Sequence, residues 1–304
     1  MQRKYRVVSG KMVETDDEKA LLSVFINPDE QEKRYLIDEL KLDEHTLGSA
    51  LDPDELARLE FEPKHTALIF KRPEPYSHKD EFLFRVASTG AYLFKDRLVI
   101  VISEDVTLFD GMQPIKMATP AYLLLRLIYR SIYHFLGHVK VISAISDELQ
   151  DKINRAMENR YLINLFSLQK SLVYYLNFIN SNGVVLEKLK LNANKIGFST
   201  EELELLDDTL IENNQCYRQA EIYSNILASL MDARASIVSN NLNVLMKTLT
   251  LITIMIMVPT FVVSAFSMNV KIPLEDMSYA FWIILSLAAT SVLSIIVIWR
   301  RKGW

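Results

Sequence analysis

A series of positions near the carboxy end combines useful chemistry with helical spacing. Asn243, Met246, Leu249 or Thr250, Thr253 and Met257 recur at steps of three and four, so an α-helix carries their amide, thioether, aliphatic and hydroxyl groups on one face. In an isolated pair of helices such a face serves lipid contact or helix packing. In a closed ring of symmetry-related helices it lines a pore, with methionine and leucine constrictions that gate by dewetting and rings of amide and hydroxyl oxygen between them. Beyond this stripe, Ser267-Met268-Asn269 begins a short polar interruption that continues through Pro273, Glu275 and Asp276. Far upstream, Asp207 and Asp208 stand near the amino end of a helical stretch, where carboxylates complement the helix dipole.

Other chemistries lack their signatures. No glycine-rich phosphate loop follows a strand, and HExxH is absent. The five histidines show no metal-binding spacing; His134 and His138, four apart, read as packing or surface residues. The single cysteine, Cys216, permits neither an intrachain disulfide nor a cysteine-rich zinc site. A net charge of −4 gives no global basic signal for nucleic acid, and the amino end has no apolar core of a signal peptide. An enzyme is not expected.

The elements that must position these residues are legible from charge and from Gly/Pro content. Residues 248–270 and 277–299 contain no Asp, Glu, Lys or Arg. Each run would span roughly 35 Å as a helix, enough for a hydrocarbon core of ~30 Å, so two transmembrane helices in contact with membrane lipid are expected. Lys247 precedes the first run and Arg300, Arg301 and Lys302 follow the second, which predicts cytoplasmic amino and carboxy termini. Residues 198–258 contain no Gly or Pro, so one helix is expected to run from soluble protein into the first span, opened by a capping box between Ser199 and Glu202. Another stretch without Gly or Pro, 138–182, predicts a preceding long helix.

Residues 1–110 read as mixed α/β, with strands at "RVV", "LLSVFI", "TALIF", "EFLFRV", "AYLF" and "LVIVIS" and turns at Gly90 and "KDR". Asn27-Pro28 and Asp52-Pro53-Asp54-Glu55 are read as helix starts. The expected architecture is an α+β membrane protein: a cytoplasmic α/β domain (1–119), a cytoplasmic long-helix or stalk region (120–245), and a transmembrane hairpin with a short outer loop and a basic tail (246–304).

The segment "NVLMKTLTLITIMIMVPTFVVSAFSMN", 243–269, resembles the first membrane helix of the CorA-type magnesium/cobalt transporters. The family's pattern is met by Asn243, Met246-Lys247, Leu249-Thr250, Pro259 and Met268-Asn269, in order and at matching spacing; its signature glycine is Ser267 here. The resemblance implies a homopentamer in the cell membrane that admits hydrated Mg²⁺, with Co²⁺ or Ni²⁺ as surrogates. It implies that Asn243, Met246, Leu249, Thr250, Thr253 and Met257 line the pore and that Ser267, Met268 and Asn269 form the ion entry. Mg²⁺ dehydrates reluctantly, and a ring of amide oxygens accepts hydrogen bonds from its waters without stripping them. Glu275 and Asp276 would concentrate cations at the mouth, or are simply solvated. Asp208 falls where the family has an inter-subunit carboxylate for regulatory Mg²⁺; Asp207 is beside it, and Asp80 is the candidate partner from the α/β domain. Zinc-transporting relatives with Gly-Ile-Asn make Zn²⁺ the alternative cargo. A membrane-anchored cytoplasmic sensor without transport is the alternative of another class.

Overall fold

A computed structural model describes residues 1–17, 20–77, 82–109, 114–156, 159–268 and 277–302. The chain forms two compact units, Met1–Met231 and Asp232–Trp304.

The first unit is built on a seven-stranded sheet of order β2-β1-β3-β7-β6-β5-β4. Its strands are β1 (Gln2–Val8), β2 (Lys11–Glu14), β3 (Leu22–Ile26), β4 (Arg58–Phe61), β5 (Thr66–Pro73), β6 (Val86–Leu93) and β7 (Leu98–Ile102). Only β3 and β7 pair in parallel, and their connection contains α1 (Glu30–Arg34), a π-helical turn at Tyr35–Glu39 and α2 (Glu44–Leu51). The strand period of two sorts side chains between two layers. Leu98, Ile100 and Ile102 of β7 join the core beneath α3 (Pro120–Ala156), whereas Val99 and Val101 face Leu36, Leu47 and Ala50 on the side of α2. Coverage of both faces explains why β7 reads as an unbroken apolar run.

Several local expectations are corrected by the packing. "EFLFRV" is not a strand at its start: Phe82 has a φ of 66°, and β6 begins only at Val86. Gly90 is not at a turn but in the middle of β6, where a Cβ would lie 2.5 Å from the Cβ of Ala50. The glycine lets α2 approach the sheet. The turn at "KDR" is present, closed by the Phe94 amide donating to the Arg97 carbonyl at 3.0 Å. Asp29, not Asn27, caps α1, through a reciprocal capping box with Glu32. Asp52-Pro53-Asp54-Glu55 follows the end of α2 rather than starting a helix; that helix is capped by Asp43, which accepts from the Thr46 amide at 2.9 Å.

Three long helices complete the first unit: α3, α4 (Asn159–Leu191) and the first part of α6 (Thr200–Phe266), with the short α5 (Ala193–Ile196) before α6. Sheet and long helices share one continuous core. Gly183 lies inside α4, at its joint with the rest of the unit. Asn182 accepts from the Lys71 amide (2.8 Å) and donates to the Lys71 carbonyl (2.9 Å), replacing a ladder partner that β4 is too short to supply. A Cβ on Gly183 would approach Asn213 Nδ2 of α6 to 2.8 Å, and that amide donates to the Ile179 carbonyl at 3.1 Å. The capping box that opens α6 is present as read: the Ser199 amide donates to Glu202 (2.9 Å), and the Glu202 amide donates to Ser199 Oγ (3.2 Å). Glu202 also accepts from Thr119 Oγ1, the hydroxyl that caps α3 at the Tyr122 amide.

In the second unit α6 runs on to Phe266, and α7 spans Ala280–Lys302. Both helices are long and apolar enough to cross a membrane, with mean hydropathy of 2.2 and 2.5 in their most apolar stretches. They bury almost none of that surface within the chain. A soluble protein would not leave Ile252, Ile256, Phe261, Trp282 and Leu293 uncovered together.

Candidate functional site

The stripe on α6 is continuous and uncovered. Asn243, Met246, Leu249, Thr250, Thr253 and Met257 are all exposed, with Met246, Leu249 and Met257 each at least 60% exposed. The less exposed residues of the same helix segment, Leu251, Met255, Val258, Pro259, Val262 and Phe266, form a different stripe. The helical repeat therefore separates a partly covered side from an open side, and the sequence-selected residues occupy the open one.

The threonines of the open side are internally satisfied. Thr250 Oγ1 donates to the Met246 carbonyl at 2.8 Å, and Thr253 Oγ1 donates to the Leu249 carbonyl at 2.9 Å. Each hydroxyl proton is thereby used on the helix, while the oxygen keeps acceptor capacity directed outward. Thr248 and Thr290 make the same bond away from this stripe, so back-bonding by itself fits lipid as well as a pore. Sequence reasoning stopped the stripe at Met257, but the steps of three and four continue through exposed Thr260 and Ser264 to Ser267. Thr260 Oγ1 donates to the Ile256 carbonyl at 2.6 Å, one residue past the Met255 carbonyl that Pro259 deprives of its amide donor. The signal for Thr260 and Ser264 was the same periodicity, followed two turns further.

Ser267 lies just past the last helical residue, its amide (3.2 Å) and Oγ (2.9 Å) both donating to the Ser264 carbonyl. It is not among the described residues with positive φ, so serine in place of glycine carries no left-handed strain here. Met268 is exposed. Asn269, Glu275 and Asp276 lie outside the described residues.

The expected regulatory carboxylates are placed only in part. Asp207 is held in an ion pair with Lys190 of α4 at 2.8 Å, both side chains about half exposed. Asp208 is exposed on the next position, and Glu212 follows one turn later. Burial chiefly, and then the negative charge of Glu212 and Asp208, raise the Tyr129 hydroxyl above its ordinary pKa; Arg126 opposes them. The acids of this part of α6 thus direct their field toward α3. Asp80 lies outside the described residues. Among the described residues no three His, Cys, Asp or Glu side chains converge as a metal site.

His138 takes a packing role. His138 Nδ1 lies 2.8 Å from the Tyr175 hydroxyl, and the ring meets Phe84 edge-on at 5.5 Å. Burial, with a smaller contribution from His134, pushes its pKa down to about 4.

An α/β domain with long covering helices, one of which continues into the first of two apolar carboxy-terminal helices, is the plan of a two-span membrane transporter. Residues 23–301 match the family described as CorA-like Mg²⁺ transporter protein. The chain is 25% identical over 288 residues to the cobalt/magnesium transport protein CorA of Methanocaldococcus jannaschii, covering 91% of this chain and 89% of that protein. The complete structure of the CorA magnesium transporter from that organism superposes with a TM-score of 0.82 at 21% identity, over 100% of this chain and 98% of that one. The cytoplasmic domain of ZntB from Vibrio parahaemolyticus shares the fold at a TM-score of 0.60 and 13% identity, over 79% of this chain and 98% of that one. The chain belongs to the CorA-like Mg²⁺ transporter family, whose members are membrane transporters rather than enzymes.

Proposed function

We propose that this chain assembles as a homopentameric channel that passes hydrated Mg²⁺ into the cell, with Co²⁺ and Ni²⁺ as surrogate cargo and both termini in the cytoplasm. The observation that carries the reading is the open stripe on α6. It bears an amide and several hydroxyls, on a helix that carries no charged residue from 248 to its end at Phe266, and it stays uncovered over its whole length in the single chain. In a ring of copies this stripe faces the axis: Met246, Leu249 and Met257 form apolar constrictions, and Asn243, Thr250 and Thr253 supply oxygen acceptors to the ion's water shell. Ser267, Met268 and Asn269 stand at its outer end, where Asn269 amides accept hydrogen bonds from water that Mg²⁺ retains, and Glu275 and Asp276 raise the local cation concentration. The likeness in sequence to a cobalt/magnesium transport protein supports this cargo. The membrane potential supplies about 2.3 kcal/mol per charge per 100 mV, so inward flux needs no chemical fuel.

Internal Mg²⁺ closes the channel by bridging carboxylates of adjacent subunits, with Asp208 the central ligand and Asp80 its partner. Asp207 contributes only if it leaves Lys190.

The test is ion flux into proteoliposomes with Mg²⁺, Co²⁺, Ni²⁺ and Zn²⁺ offered separately. Mg²⁺ entry that is lost in Asn269→Ala, with the oligomer intact by crosslinking, is the expected result. Zn²⁺ flux in the absence of Mg²⁺ flux would assign the chain to zinc transport. No flux of any ion would leave the apolar helices as an anchor for a sensor.

A further inference from the structure

The cavity between the sheet and α3 contains a buried arginine whose recognition edge is unused. A cleft of about 550 Å³ is walled by β5, β6 and β7 on one side and by α3 on the other. Arg72 projects from β5 into it and is only 7% exposed, yet its Nε and Nη2 have no hydrogen-bond partner among the described residues. These two nitrogens form the lateral fork of the guanidinium, with two parallel N–H groups matching the two oxygens of a carboxylate. Thr89 Oγ1 on the neighbouring strand is likewise buried and unpartnered. It lies opposite Phe70 in the register, on the same sheet face as Arg72. Leaving these groups dry and unmatched is costly, and both residues line the cleft.

The surroundings restrict what would fill that space. Phe70, Ile100 and Leu127 give the cleft an apolar wall, and its volume is that of a small-molecule site. Arg130 and His134 of α3 line the opposite wall, with Gly137 one turn further. Burial chiefly, and then the positive charge of Arg130 and Arg72, lowers the His134 pKa from its ordinary value. Of the nearby acids, Asp105 is engaged by both terminal nitrogens of Arg3, at 2.9 and 2.6 Å. Glu74 and Glu104 act on Arg72 through charge, and they disfavour a ligand bearing more than one negative charge. We infer that the cleft binds a small organic monocarboxylate with an apolar body, its carboxylate received by Arg72 Nε and Nη2 and Thr89 Oγ1, and its hydrocarbon against Phe70, Ile100 and Leu127. The site is distinct from the ion path and from Asp207 and Asp208.

Isothermal titration of the full-length protein in detergent with 4-methylpentanoate at pH 7.5, against a detergent blank, tests the assignment. A saturable 4-methylpentanoate signal is expected, with none from sodium phosphate. Arg72→Met should weaken binding at least tenfold. Gly137→Leu keeps every polar group and fills the cleft; a Cβ at Gly137 meets nothing within 4 Å, so the helix accepts it, and binding should disappear. No binding by the parent, binding unchanged in Gly137→Leu, or phosphate binding as well as the carboxylate would each overturn the inference. Should Arg72→Met fail to fold, Thr89→Val takes its place and should weaken binding measurably; unchanged affinity there would count against the carboxylate's position.

Discussion

Lowering the pH from 7 to 5 should loosen the soluble unit through one residue, His138. Its ring is packed between Phe84 and Tyr175, with Nδ1 at 2.8 Å from the Tyr175 hydroxyl, and burial followed by the charge of His134 holds its pKa at about 4 against an ordinary 6.5. Because the folded value is depressed, the unfolded chain binds the extra proton between pH 6.5 and 4, and stability is lost as pH falls through that window. With these two values the linkage relation gives a loss of about 1.8 kcal/mol between pH 7 and pH 5. For a unit of this size that corresponds to a fall of about 4–7 °C in the unfolding midpoint. Every tyrosine except Tyr279 lies in residues 1–231, whereas all three tryptophans lie beyond them, so the near-ultraviolet tyrosine band reports the relevant unit. His134 lies one turn away with its own pKa lowered by burial, so the comparison is between the parent and His138→Gln, which retains a hydrogen-bonding group toward Tyr175 without a titrating one. The variant should lose at least 3 °C less than the parent between the two pH values. Equal losses would refute the assignment of the acid sensitivity to His138.

Three further outcomes are expected. Replacing Met246 or Leu249 with serine should raise basal conductance several-fold in planar bilayers by wetting the constriction; parental conductance would mean that these side chains meet lipid or protein. Asp208→Asn should shift the inhibitory dose–response for internal Mg²⁺ in excised patches to higher concentration, and an identical curve would leave Asp208 as a helix-end charge. Gly90→Ala should destabilise the first unit by about 1–3 kcal/mol through overpacking against Ala50, and Ala50→Gly in the same chain should recover much of that loss in thermal unfolding; no recovery would locate the strain elsewhere.

The sequence by itself determined whatever rests on neighbours within a few turns of chain. Two charge-free runs prescribe apolar helices, since no fold supplies missing charges, and Ser199 with Glu202 prescribes a helix start because both partners lie within one turn. The stripe from Asn243 to Met257 was legible for the same reason: it is a consequence of the helical repeat. Asp29 and Asp43 were displaced or missed as caps because several acids and prolines in the connecting loops offer equivalent local signals, and only packing against the sheet selects among them. Gly90 looked like a turn because its need for close approach comes from Ala50, forty residues away, and the close neighbour of Gly183, Asn213, is likewise distant in sequence. The clasp of Asn182 on Lys71 spans 111 positions, and the unused edge of Arg72 exists only where β5 meets α3. Interactions between elements distant in sequence leave no periodicity to read, so tertiary structure alone decided which polar groups were matched and which were left unmatched.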